Sequence, residues 1–143
     1  MGRRFSVGFE MEVDHDRAIV RAFFAPEKRA RYPNLISTAR GRKKFVAQFP
    51  HLDALDSRFV RRLDPREQYV DRIEALLKER GAPDPCYIVS ENSRLDLQCM
   101  KLHDALRATV GFEMGTFLSC VAGQLAYIEG EEPGSRHICE RAP

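Results

Sequence analysis

The sequence of 143 residues lacks several features by which common protein classes are recognised. No apolar run approaches the roughly 20 residues that a membrane-spanning helix needs. No charged and apolar leader precedes a small-residue cleavage site. We therefore expect a cytoplasmic protein without a membrane partner, and the length predicts a single domain over residues 1–143.

The four cysteines also form no C-x-x-C pair, because Cys86, Cys99, Cys120 and Cys139 are 13, 21 and 19 residues apart. This spacing excludes a zinc knuckle and a dithiol redox motif. Without a secretion signal we expect reduced thiols, with Cys86 and Cys120 as small buried hydrophobes in apolar runs. Since the sequence also has no glycine-rich phosphate loop and no G-x-S-x-G elbow, we predict no cofactor and assign no catalytic residue.

Charge is distributed unevenly along the chain. Residues 1–80 carry 18 basic and 12 acidic side chains, a net charge of +6, whereas residues 81–143 carry 5 and 9, a net charge of −4. The excess is greatest in residues 17–44, here called the basic segment, which holds nine basic residues and one acid. Such a density indicates contact with a polyanion or with an acidic surface, including the acidic half of this chain or of a second copy.

Hydrophobic periodicity predicts helices in the first half of the chain. Alternation over residues 5–13 is typical of a strand, after which Asp14 or Asp16 caps a helix that extends to Phe23. Pro26 is placed in the first turn of a further helix, and Gly41 opens a third, short one.

The second half reads differently. Asp64 and Glu67 flank a proline in the pattern of a capped helix start, and Gly81 ends that helix. The remaining patterns predict strands over 86–90, 116–121 and 124–129, with a helix over 102–110. The tail over 130–143 has little to pack and is predicted to be mobile. We therefore expect an α+β fold, in which a helical, basic N-terminal half packs on an antiparallel sheet of about three or four strands built mainly by the C-terminal half.

Two parts of the sequence resemble small bacterial proteins of uncharacterised function. The resembling residues are Arg31-Tyr32, Gly41-Arg42-Lys43-Lys44-Phe45, His51-Leu52-Asp53 and Asp56-Ser57-Arg58-Phe59 in the first part, and Cys86-Tyr87-Ile88-Val89-Ser90, Gly115-Thr116-Phe117-Leu118-Ser119-Cys120 and Leu125-Ala126-Tyr127 in the second. The resemblance implies one natural bacterial domain, and it implies no activity, cofactor or site residue.

The candidate anion-binding residues belong to the basic segment. They are Lys28, Arg29, Arg31, Arg40, Arg42, Lys43 and Lys44. Each could neutralise a phosphate, which gives affinity without sequence specificity. The interleaved aromatic residues Phe23, Phe24, Tyr32 and Phe45 either stack on unpaired bases or belong to the core. In the second case the cations form a solvated face or pair with the acidic half, and the sequence has no recognised nucleic-acid-binding motif.

An alternative site is the group Glu10, Glu12, Asp14, His15 and Asp16. On a strand, alternate carboxylates would share a face, and Glu12, Asp14 and Asp16 could then hold Mg²⁺ or Mn²⁺ for phosphodiester hydrolysis. The competing interpretation is a solvent-facing strand followed by helix-capping acids.

Further candidates are two histidines, one polar loop and three nucleophilic side chains without a G-x-S-x-G pattern, Ser90, Ser119 and Cys120. His103 cannot face Asp104 on a helix because sequence neighbours point in different directions, and His51 lies two residues from Asp53. The polar loop over 90–96 leaves a buried strand, which is a common place for ligand contacts and also an ordinary connection.

Three functions follow as hypotheses. The first is a non-enzymatic binding or regulatory domain that engages nucleic acid or an acidic protein surface through the basic segment. The second is a small divalent-metal-dependent phosphodiester hydrolase. The third is a homo-oligomer in which the basic half of one copy docks on the acidic half of another.

Overall fold

The computed structural model describes residues 9–30, 38–52 and 54–142, with side chains from residue 15 onward. Its helices are α1 (Phe9–Phe23), α2 (Pro26–Arg29), α3 (Ala39–Val46), α4 (Val70–Glu79) and α5 (Leu102–Thr109). Its strands are β1 (Val60–Arg62), β2 (Cys86–Ser90), β3 (Cys99–Met100), β4 (Thr116–Val121), β5 (Leu125–Glu129) and β6 (Arg136–Glu140).

The six strands form one antiparallel sheet in the order β1-β6-β5-β4-β2-β3. Strands β2, β4 and β5 lie in its interior, and their side chains are buried on both faces apart from the half-buried Val121 at the end of β4. Successive side chains of a strand point to opposite faces, so the sheet has two separate cores. The long apolar runs in these strands reflect this burial on both sides.

The first face carries α1 and α3. Tyr87, Val89 and Phe117 point from the sheet into a core that also contains Phe23 and Phe45. Its aromatic rings are in direct contact, with a centroid distance of 5.9 Å between Phe23 and Phe117. Burial of such rings is among the largest apolar contributions to a small fold.

The second face carries α4 and α5. Ile88, Leu118 and Tyr127 point from the sheet toward a core that includes Leu77 of α4 and Leu106 of α5. Both helices bury the apolar stripe that their sequence periodicity predicts. The helical layers therefore lie on opposite sides of the sheet.

The α+β class is confirmed, but the predicted number of three or four strands is wrong. Strands β1 and β3 have three and two residues, too few to give a recognisable alternation. Within the tail over 130–143, for which the sequence predicts mobility, β6 lies between β1 and β5 and pairs with both. Backbone pairing with two neighbours orders this part of the tail in spite of its polar sequence.

The predicted strand over 5–13 is wrong where it can be compared. Residues 5–8 lie outside the described residues, and the backbone from Phe9 is helical. Alternating side chains therefore do not share a face here, since a helix repeats every 3.6 residues.

The predicted helix start at Asp64 holds a capping box, as expected. This capping box begins only a short 3₁₀ turn at Pro65–Glu67, however, and α4 begins later, at Val70. The end of α4 agrees with the sequence, because Gly81 has a φ of +94°, a conformation that favours glycine.

Candidate functional site at helix α3

The structure divides the predicted anion-binding residues into several groups. Arg29 is structural, since its Nε donates to the Phe24 carbonyl at 3.0 Å and an Nη lies 3.7 Å from the buried Asp56. Lys28 is half-buried on α2, and Arg31 lies outside the described residues. The other four residues, Arg40, Arg42, Lys43 and Lys44, belong to α3.

Arg42 is bound to two carboxylates of the protein itself. Its Nε and Nη2 donate to the two oxygens of Asp96 at 3.1 and 2.8 Å, and its Nη1 donates to Asp16. This guanidinium joins α1, α3 and the loop after β2, with only 13% of its side chain exposed. Arg42 is thus a structural cation, and the prediction that it meets an external anion is not supported by this geometry.

The pKa of Asp16 is strongly perturbed in this arrangement. Burial raises its pKa to about 7, although Arg42 and the hydroxyl of Tyr87, which donates to Asp16 at 3.0 Å, act in the opposite direction. Asp96 raises the pKa further, because two carboxylates share one guanidinium. We call Asp16, Arg42, Tyr87 and Asp96 the Arg42 cluster.

The loop after β2 is held by the same cluster. The Ser90 backbone N–H donates to Asp96 at 3.0 Å, and the Asn92 N–H donates to the Ser90 hydroxyl at 3.0 Å. That hydroxyl also bonds to the hydroxyl of Thr116 at 2.7 Å. The loop that the sequence marks as a candidate for ligand contact is therefore fixed in position.

A cleft of about 540 Å³ lies between α3 and this loop, and we call it the α3 cleft. It is lined by Ala39, Arg42, Lys43, Val46 and Ala47 from α3, by Ser90, Glu91, Ser93 and Asp96 from the loop, and by Pro50, His51 and Glu131. The volume falls within the range of small-molecule and side-chain pockets. The α3 wall of the cleft combines apolar side chains with two cations, Arg42 and Lys43, and the opposite wall is acidic.

Three cations remain available on α3. Arg40, Lys43 and Lys44 are exposed and form no ion pair with any residue whose side chain the structure describes. Their spacing of i, i+3 and i+4 places them on one face of the helix. Gly41 and Phe45 occupy its buried side, so the helix separates core and charge.

The aromatic residues of the basic segment do not form a stacking surface. Phe23, Phe24 and Phe45 are fully buried in the core, and Tyr32 lies outside the described residues. Of the two interpretations that the sequence leaves open for these rings, burial in the core is the one that the described rings show.

The alternative metal site at Glu12, Asp14 and Asp16 loses its basis. The backbone of all three residues is helical, so a strand does not align their carboxylates. The Asp16 carboxylate is also engaged by Arg42 and Tyr87. To coordinate a metal ion, the Asp16 carboxylate would have to lose its hydrogen bonds from Arg42 and Tyr87.

The remaining titratable candidates meet partners from distant parts of the chain. His103 bonds to Glu74 at 2.7 Å rather than to its sequence neighbour, and His51 lies 3.1 Å from Glu131. Burial raises the pKa of Cys120 to about 12 and that of Cys86 well above its ordinary value. These thiols therefore stay protonated near neutral pH and are poor nucleophiles.

Ser119 is also a poor candidate nucleophile. It is buried, with its hydroxyl 3.4 Å from Nδ1 of His15. The imidazole of His15 stacks on Tyr87 with a centroid distance of 4.8 Å. The pair belongs to the packing between α1 and the sheet, and substrate access to the hydroxyl is closed.

Comparison with models of protein families, with curated proteins and with solved structures finds no match. The resemblance to small bacterial proteins therefore stays a prediction. None of the described helices is both long and apolar enough to cross a membrane.

Proposed function

We propose that this protein is a binding domain that takes an acidic segment of another protein on helix α3 and in the α3 cleft. The observation that carries the proposal is the single exposed face formed by Arg40, Lys43 and Lys44, which pair with no described residue. Clustered cations of this kind attract carboxylates over about a Debye length and speed their association.

The α3 cleft favours a protein segment over a nucleic acid. Ala39, Val46 and Ala47 present apolar surface beside the cationic face. An apolar side chain fills such a surface, whereas a phosphate backbone has no group suited to it. Because the described aromatic residues of the basic segment are buried, no stacking platform for single-stranded bases accompanies the cations.

The charges around the cleft also give the bound segment an orientation. Glu91 and Glu131 lie on the wall opposite α3, with the Glu91 carboxylate accepting from the Gly115 N–H. Carboxylates of a partner are repelled from this wall and attracted to the other. The acidic side chains of the segment therefore contact α3, and its apolar side chain enters the cleft.

The Arg42 cluster supplies the rigidity that such binding requires. Asp96 lines the cleft and bonds to both Arg42 and the backbone of Ser90, so the two walls are connected through one carboxylate. A cleft whose walls are fixed before binding loses less conformational entropy when the partner arrives.

The test is fluorescence anisotropy of the full chain with a labelled amphipathic peptide in which Glu and Leu repeat at helical spacing. Exposed charge pairs contribute about 0.2–1 kcal/mol each, so we expect the variant R40A/K43A/K44A to bind roughly tenfold more weakly at about 50 mM salt. Binding of the unmodified chain should also weaken between about 50 and 200 mM salt.

The matched control is R17A/R21A, which removes two exposed cations of α1 from the same basic segment. It should bind the peptide nearly as well as the unmodified chain, while Ala47→Asp at the cleft should bind it less well. Equal losses in the α1 and α3 variants, or no peptide binding at low salt, would contradict the proposal. Preferential binding of labelled DNA or RNA would replace the acidic segment with nucleic acid.

A further inference from the structure

A second cluster of ligand-type side chains lies on the opposite side of the sheet. Asp71 and Glu74 are three residues apart on α4, and His103 is in the first turn of α5. One oxygen or nitrogen of each side chain lies within 4.8 Å of the corresponding atoms of the other two. Among the described residues this is the one group of three potential metal-ligating side chains that meets this distance.

The cluster has the ligand types that bind metal ions of intermediate softness. It offers one imidazole nitrogen and two carboxylate oxygens, a set that suits Zn²⁺ and Co²⁺. Bonds of about 2.0–2.2 Å to a tetrahedral Zn²⁺ place neighbouring ligand atoms roughly 3.3–3.6 Å apart, so small side-chain rotations bring the three groups to that geometry. Three protein ligands leave the fourth position to water.

The two helices that carry the ligands are held by their packing. Ile73 and Leu77 of α4 share a buried core with Leu102 and Leu106 of α5. Asp71 and Glu74 are held relative to each other by one turn of α4. The packing of α5 against α4 holds His103 beside them. Such a scaffold needs little reorganisation when a metal ion enters.

The free protein already holds two of the ligands together. Nδ1 of His103 lies 2.7 Å from Oε1 of Glu74, while Nζ of Lys78 lies 3.0 Å from Oε2. The ammonium group of Lys78 competes with a metal ion for the Glu74 carboxylate. Removal of Lys78 should therefore strengthen metal binding, whereas removal of a ligand should weaken it.

We propose that Asp71, Glu74 and His103 bind one divalent transition-metal ion of the zinc class and that this ion ties α4 to α5. The site is independent of the α3 cleft, since it lies on the other face of the sheet. A metal bound to the folded chain alone raises its stability in proportion to the logarithm of metal concentration.

The test uses the full chain, stripped with EDTA and titrated separately with ZnCl₂ and CoCl₂. We expect one equivalent to bind, a rise in Tm on metal addition, and a Co²⁺ absorption spectrum without a thiolate charge-transfer band. That last feature separates the site from the thiols of the four cysteines. Glu74→Gln and His103→Ala should each weaken binding by at least tenfold, and Lys78→Met should strengthen it severalfold.

The control is His51→Ala, which removes the imidazole of a His–Glu pair that has no second carboxylate ligand among the described residues. It should leave metal binding unchanged. The proposal is overturned if no saturable one-to-one binding occurs, if Glu74→Gln and His103→Ala bind as the unmodified chain does, or if Co²⁺ reports thiolate ligands. Unfolding curves in EDTA verify that each variant is folded before titration.

Discussion

Asp16 and Glu129 are both buried carboxylates with a tyrosine and an arginine beside them, but they lie on opposite faces of the sheet and are held differently. Glu129 accepts from the backbone N–H groups of Gly111 and Glu113 at 2.8–3.2 Å and from the Tyr127 hydroxyl at 2.7 Å. Its arginine, Arg136, is 3.7 Å away.

Asp16, in contrast, has no backbone donor among its described contacts and depends on the side chains of Arg42 and Tyr87. The backbone N–H groups of Gly111 and Glu113 hold the Glu129 carboxylate independently of surface side chains. Asp16 is instead linked through Arg42 to Asp96, a residue of the α3 cleft. A buried carboxylate, a tyrosine and an arginine therefore anchor a turn on one face of the sheet, and on the other face they connect the core to the α3 cleft.

The largest expected effect comes from removing the two arginines. Arg42→Met leaves two carboxylates without their cation and should lower the free energy of unfolding by about 3–5 kcal/mol. Arg136→Met should cost only about 1–2 kcal/mol, because Glu129 keeps its backbone donors. Urea denaturation of both variants measures the difference, and equal losses would show that the two carboxylates are held alike.

The two tyrosines give a smaller contrast of the same kind. Tyr87→Phe should lower the free energy of unfolding by about 2 kcal/mol, because Asp16 then keeps only one partner. Tyr127→Phe should cost about 1 kcal/mol, since two backbone donors still reach Glu129. Thermal and urea unfolding of the pair test this order, and a reversed order would contradict it.

The remaining expected effect is a dependence of the free energy of unfolding on pH. The folded pKa of Asp16 is about 7, above the ordinary 3.8, so its stabilising contribution is complete below pH 4 and is lost as the pH rises through 7. His137 acts oppositely at lower pH, because burial lowers its pKa to about 4 and stability falls as the pH drops from 6.5 toward 4.

Unfolding experiments between pH 5 and 8 separate the contributions of Asp16 and His137 to the free energy of unfolding. Asp16→Asn should remove the loss of stability with rising pH, so its difference from the unmodified chain changes steadily across this range. Asp96→Asn should move the loss to lower pH, since Asp96 helps to raise the pKa of Asp16. A difference that does not vary with pH would show that Asp16 stays ionised.

Much of the sheet and its second helical layer follows from local patterns. The runs that form β2, β4 and β5 and the amphipathic stripes of α4 and α5 are encoded by neighbouring residues. The segment over 9–13 is ambiguous, since its apolar residues fit a strand while Glu and Met favour a helix. Strands as short as β1 and β3 are defined by their partners and leave no local signal.

The candidate sites depend on contacts that no local pattern contains. Arg42 was found through the charge of its segment, but its carboxylates lie 26 and 54 residues away. Similarly, Glu74 and His103 are 29 residues apart and meet only because α4 and α5 pack together. The charge asymmetry could indicate a basic surface, but it could not distinguish the cations that the fold neutralises from those it leaves exposed.

The place of β6 has a consequence for synthesis of the chain. Val60 of β1 pairs with Cys139 of β6, so this edge of the sheet joins residues 79 positions apart. During translation β2, β4 and β5 can emerge and pair while the last strand is still inside the ribosome. The segment carrying β1, although made much earlier, must wait until residues 136–140 are released. The edge of the sheet that is translated first is therefore completed last.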